Sequence, residues 1–229
     1  MEDTTIKDEL KTYQELWNAK DYQKALDWLE KNPSVFGSET WHYNLATTYG
    51  QLGELAEARY HFEQSYQLGK RDEKMAESLK WIHKQGEADR WETLSSWTDY
   101  VYKFLIYRPQ YFFSQLTLVF LALGFGLYAI KKFKKKGLGL FMILALISTS
   151  LGYIVSDNKL VVTKTAVEIY RGPSQIFDFQ EVPAGVMLFL KPYGTQYKVL
   201  YPSSAEGWIL KQPQYEIRQG SIWDLMSQK

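Results

Sequence analysis

The side chains best able to do chemistry are few, and their spacing does not suit catalysis. Three histidines, His42, His61 and His83, all lie within residues 1–86, and none has a ligand or base partner at a recognisable spacing. There is no cysteine, which excludes disulfides, thiolate metal sites and thiol catalysis. No glycine-rich phosphate loop, nucleophile elbow or paired-carboxylate motif occurs. The expectation is a chain with no catalytic residue, no metal and no cofactor, which is not an enzyme and works by contact.

Residue types suited to contact do recur at regular spacing. Lys11 and Gln14, then Tyr43, Asn44, Thr47 and Gln51, then Trp81 and Lys84 fall at equivalent positions of successive helices. Lysine and asparagine can hold a peptide carboxylate, and aromatic rings anchor apolar side chains. Lys11, Tyr43, Asn44, Thr47, Trp81 and Lys84 are therefore the expected partner-binding residues. The plain alternative for each is a solvated helix face.

The elements that would position them occupy residues 1–86. Apolar residues recur there at three and four, the helical period. Leu16, Ala25 and Leu29 are followed 33 residues later by Tyr49, Ala58 and Phe62, close to the tetratricopeptide period of about 34. Ala46, Ala58 and Ser65 would let paired helices approach, Leu45, Tyr49 and Phe62 would fill the space between them, and Gly53 would turn the chain. Residues 72–85, with Leu79 and Ile82, predict a third first-helix or a cap.

Residues 87–109 are dense in aromatics (Trp91, Trp97, Tyr100, Tyr102, Phe104, Tyr107) and read as a juxtamembrane linker. Tyr111 to Ile130 and Gly137 to Val155 then contain no charge. Spanning a bilayer core takes about 20 helical residues, so spans are expected at 110–130 and 137–155. Ala122 with Gly126, and Ser148 with Gly152, are small pairs suited to close helix packing. Five lysines in the loop 131–136 set the orientation, since basic residues in short loops stay cytoplasmic. Both flanking regions would then lie across a bacterial inner membrane, in the periplasm. Met1 to Leu10 is polar and acidic and lacks the apolar core of a signal peptide, which opposes that orientation; the lysines outweigh it.

The net charge of +1 hides an acidic N-terminal half and this basic loop. A basic cluster between apolar spans is not a nucleic-acid surface. Membrane lipid and protein are the expected partners.

From residue 160 to 217 short β-rich runs alternate with turns at Gly172-Pro173-Ser174, Pro183-Ala184-Gly185, Pro192-Tyr193-Gly194 and Pro202-Ser203-Ser204. Val167–Arg171 running into Gly172-Pro173-Ser174, with Gly207-Trp208-Ile209 near the close, resembles the bacterial SH3-like barrel. Trp208 is assigned to its core, and residues 218–229 form a tail. The expected fold class is thus multi-domain: an α-helical tetratricopeptide-like repeat, a two-helix transmembrane hairpin and a C-terminal all-β SH3-like barrel.

That order of parts is similar to the BatE-type aerotolerance proteins, on the strength of Leu45, Ala46, Tyr49, Ala58 and Phe62, the lysine loop, and Gly172, Pro173, Gly185, Gly207 and Trp208. The resemblance implies a multi-pass inner-membrane scaffold or adaptor, linked to stress or aerotolerance, beside von Willebrand factor A-domain membrane proteins and a MoxR-type ATPase. A peptidoglycan-binding sensor that uses the barrel is the alternative.

Overall fold

The computed structural model describes residues 2–106, 110–129, 135–174, 176–210 and 215–217. Residues 107–109 and 131–134 and the tail 218–229 lie outside the described residues, and so do the predictions made for Tyr107, for most of the lysine loop and for the tail.

The N-terminal half is helical. α1 (Glu2–Asn18) pairs with α2 (Tyr22–Lys31), α3 (Ser38–Leu52) pairs with α4 (Leu55–Gln67), and α5 (Glu73–Gln85) closes the stack. Local sequence sets these limits. The Asp21 and Asp72 carboxylates accept the backbone N–H groups of Lys24 and Met75 at the starts of α2 and α5. Gly53 ends α3 in the left-handed conformation (φ 83°), where a Cβ would be strained. The 33-residue period holds in space: Ala25 and Ala58 are both fully buried, as are Leu29 and Phe62. Trp41 donates its indole N–H to the Leu29 carbonyl at 2.8 Å, tying α3 to the end of α2.

Segment 87–109 is not a plain linker. Ala88–Trp91 forms α6 and Trp97–Ile106 forms α7, and both are built into the core. Ala88 and Trp91 pack on one face of the C-terminal sheet, and Leu94, Tyr102 and Ile106 on the other.

The uncharged stretches form α8 (Gln110–Ala129) and α9 (Lys135–Asp157), packed as a hairpin. α9 begins inside the expected loop 131–136, at Lys135. Ser148 Oγ donates to the Phe113 carbonyl at 2.8 Å, and the Thr117 and Thr149 hydroxyls meet at 3.3 Å. A Cβ on Gly152 would lie 3.1 Å from Phe113, so the Ser148–Gly152 pair does face the partner helix. The Ala122–Gly126 pair does not. Both residues are exposed, and Gly124 makes the close approach instead, where a Cβ would lie 2.8 Å from Phe141.

Among the described residues no helix is long and apolar enough to cross a membrane.

The C-terminal region is an antiparallel sheet of β1 (Lys159–Val162), β2 (Val167–Tyr170), β3 (Phe179–Val182), β4 (Met187–Tyr193), β5 (Gln196–Tyr201), β6 (Gly207–Ile209) and β7 (Tyr215–Ile217), in the order β3-β2-β6-β5-β4-β1-β7. The expected SH3-like barrel is not closed. β3 and β7 are the two ends of the order and do not pair with each other, and β7 packs on α4 instead. The turn expected at Pro192 also moves. β4 runs through Pro192 and Tyr193 and turns at Gly194 (φ 62°). β1 stops pairing at Leu190, so beyond that point β5 is the only neighbour of β4 among the described residues, and a proline without an N–H is tolerated there. Trp208 is half-buried beside Tyr193, with ring centroids 5.3 Å apart, and is not a core residue.

β1 and the start of β4 lack the apolar–polar alternation of a half-exposed strand because both faces are covered. Val161, Leu188 and Leu190 point into a cluster with Ile169, Val182, Val199 and Ile209. Leu160, Val162, Met187 and Phe189 point the other way, onto Ile106, Tyr60 and Tyr102. Burying one such side chain contributes about 1.5–3 kcal/mol, so the outer face alone binds the helical half firmly to the sheet.

Candidate functional site

Side chains from α3 and α5 converge on a groove of about 450 Å³ lined by Tyr43, Thr47, Gln51, Phe62, Lys74, Glu77, Ser78 and Trp81. This is the size range of small-ligand and side-chain pockets, about 300–1,000 Å³. Phe62 comes from α4 and meets the Tyr43 ring edge-on at 5.7 Å. The Tyr43 hydroxyl lies 3.4 Å from Ser78 Oγ, and Lys70 Nζ sits 5.0 Å over the Tyr43 ring. Trp81 rests on Gly50, where a Cβ would come within 3.1 Å of the indole. The absence of a side chain at position 50 therefore lets the ring lie against α3. Lys74 and Glu77 put one charge of each sign on the wall, so the groove suits a mixed apolar and polar segment.

Tyr43, Thr47, Gln51 and Trp81 are thus brought together as their helical positions predict. Asn44 is not in the groove; its carbonyl accepts the Thr47 and Thr48 hydroxyls. Lys84 is exposed one turn beyond Trp81 and lines nothing there. Lys11 and Gln14 are exposed on α1, outside the groove lining, with Lys11 4.0 Å from Glu15. Lys74, Glu77 and Ser78 escaped notice in the sequence. Their spacing with Trp81, at i, i+3, i+4 and i+7, places all four on one face of α5 and could have found them.

A second arrangement joins the two halves. Arg59 of α4 is buried and donates to the Gly185 carbonyl at 2.7 Å and to Glu92 Oε2 at 2.6 Å. Glu92 Oε1 accepts the Met187 backbone N–H at 2.7 Å. His83 Nε2 lies 3.0 Å from Arg59 Nη2 and 3.5 Å from Glu92. Burial, reinforced by the positive charge of Arg59, pushes His83 down to about 4. It is neutral at pH 7 and accepts from Arg59, so its contact with Glu92 is not an ion pair. Burial, with the Glu92 charge behind it, pushes the Tyr201 phenol up.

Below this lies a second link. Asp99 accepts from the Ser203 backbone N–H at 3.0 Å, the Ser203 hydroxyl at 2.7 Å and the N–H groups of Ser95 and Ser96. Burial raises the Asp99 carboxyl, but these donors outweigh it and the net shift is downward. Ser204 Oγ adds a bond to the Trp91 carbonyl.

His42 and His61 face each other, Nδ1 to Nδ1, at 2.8 Å. Burial lowers them to about 4 and about 3, so both are neutral and one ring donates to the other. Among the described residues no group of three or more His, Cys, Asp or Glu is placed to hold a metal.

Compared with protein-family models, curated proteins and solved structures, the chain has no match in any of the three.

Proposed function

We propose that this chain is a membrane-anchored scaffold whose helical groove holds a short segment of a partner protein. The single observation that carries the reading is the convergence of Tyr43, Thr47, Gln51 and Trp81 with Phe62, Lys74, Glu77 and Ser78 around one cavity. Two exposed or half-exposed aromatic rings beside a charged wall are the composition of a few-anchor recognition site.

Three observations support the anchor. α8 and α9 are 20 and 23 residues long as complete elements. Leu118, Val119, Leu123 and Phe125 of α8 are exposed, as are Leu140, Ile143, Leu146 and Ile147 of α9. An apolar surface of that extent is unstable against water and natural against lipid. The lysine-rich connection supports a cytoplasmic loop, with the helical stack and the sheet on the opposite, periplasmic side. The likeness to BatE-type proteins supports von Willebrand factor A-domain membrane proteins as partners and a role in stress or aerotolerance.

The test is recovery of such proteins from detergent extract with the full chain. Tyr43→Ala/Trp81→Ala should lose them, while Lys11→Ala/Lys84→Ala, outside the groove, should keep them. Unchanged melting of both variants secures the comparison. Equal recovery by both ends the groove reading.

A further inference from the structure

One face of α7 carries Trp97, Tyr100, Val101 and Phe104, which are 74%, 61%, 41% and 49% exposed. At 100° per residue these four positions fall within an arc of about 100°, and no charged residue enters it. Exposed apolar residues scattered singly need no explanation, but a contiguous aromatic stripe does.

The opposite face of α7 is fully committed. Ile106 is buried against the outer face of the sheet, Tyr102 lies 5.9 Å from the Phe189 ring, and Asp99 holds Ser95, Ser96 and Ser203. The helix cannot roll to hide its stripe. Leu105 is buried in a cluster with Phe113 of α8 and Leu151 of α9, so α7 is seated on the end of the hairpin nearest the sheet.

We infer that α7 lies in the interfacial layer of the bilayer, parallel to its plane, with the Trp97–Tyr100–Val101–Phe104 face against lipid. This rests on the membrane reading of α8 and α9. Continuity carries it: the medium that covers the exposed apolar side chains of the hairpin also reaches a helix packed on the end of that hairpin. The residue types agree, since Trp and Tyr rings combine an apolar body with a polar edge and concentrate at headgroup level. Helices of this kind sit about 5–10 Å into the headgroup–acyl boundary. Because the other face of α7 is locked to the sheet, the sheet and the helical stack would be held at the membrane surface in one fixed orientation.

The chain has no cysteine, so single-cysteine variants carry one label each. Nitroxides at Trp97→Cys, Tyr100→Cys and Phe104→Cys, with Leu118→Cys and Leu146→Cys in the hairpin and Lys80→Cys as an exposed reference, would be compared in vesicles of phosphatidylethanolamine and phosphatidylglycerol. The ratio of collisions with oxygen to collisions with a water-soluble nickel chelate should be several-fold higher at 97, 100 and 104 than at 80. If those three match position 80 while 118 and 146 report lipid, the α7 inference falls and the membrane hairpin stands. If 118 and 146 also match position 80, both fall. Shielding of 97, 100 and 104 from both reagents would mean that protein covers the stripe, and would overturn the inference equally.

Discussion

Arg59 and Glu92 meet at 2.6 Å in a site sealed from solvent, one on the helical stack and the other on the segment that leads to the α8–α9 hairpin. Through Gly185 and Met187 the same pair also grips the sheet. Two regions that read as separate modules are therefore one packed unit, with a buried salt bridge at the joint.

Breaking this pair should be costly. Arg59→Met leaves the Glu92 carboxylate buried without its cation, a change worth about 3–5 kcal/mol. The double variant Arg59→Met/Glu92→Gln removes both charges and should recover much of the loss. A double-mutant cycle from denaturant unfolding in detergent measures this. Independent, additive effects would mean that the two halves are not joined there.

Stability should also fall as the solution is acidified from pH 7 to 5. His42, His61 and His83 are held at about 4, 3 and 4 when folded, against an ordinary value of about 6.5 when unfolded. Between those values the unfolded chain binds more protons. The stability these residues contribute is complete above about pH 6.5 and is lost as pH falls toward their folded values. Asp21, Asp72 and Asp99 are shifted in the same sense but titrate below this window. His42→Gln/His61→Gln should flatten the dependence of melting temperature on pH; a slope as steep as wild type would contradict the buried neutral pair.

In the hairpin, Gly124→Val should disrupt helix contact, because the new side chain meets Phe141. Gly126→Val should be tolerated, since among the described residues nothing lies within 4 Å of its Cβ. Thr117→Cys/Thr149→Cys supplies the readout, as the two hydroxyls are 3.3 Å apart. Oxidative cross-linking should survive in the Gly126→Val background and drop in Gly124→Val. The reverse order would place the wrong face of α8 against α9.

Reporter fusions test the orientation. A fusion at Lys134 should report cytoplasm, and fusions at Glu2 and Lys229 should report the opposite side. Cytoplasmic signals at both ends would reverse the orientation while leaving the pairing of α8 and α9 untouched.

Much of this molecule is written in local sequence. The 33-residue recurrence of Ala25 at Ala58 and of Leu29 at Phe62 marks the helix pairs, because buried positions at the same point of the period are apolar in both copies. Two uncharged runs determine α8 and α9, and the glycine and proline turns determine most strands. Tyr43, Thr47, Gln51 and Trp81 share a groove because helical spacing alone puts them on the right faces.

What the period could not decide is which elements meet across long stretches of chain. Gly185 lies 126 residues from Arg59, and no local pattern marks the pairing. Segment 87–109 read as a linker because local spacing does not say which of its aromatic residues find a partner. Trp91 and Tyr102 face the sheet while Trp97, Tyr100 and Phe104, at helical spacing, form the exposed side of α7. The sheet stays open for a related reason. Turn signals specify neighbouring strands, but closure would need β3 and β7 to find each other, and α4 takes the place beside β7. In each case the partner that satisfies a buried group comes from a distant part of the chain, and only packing in three dimensions brings it there.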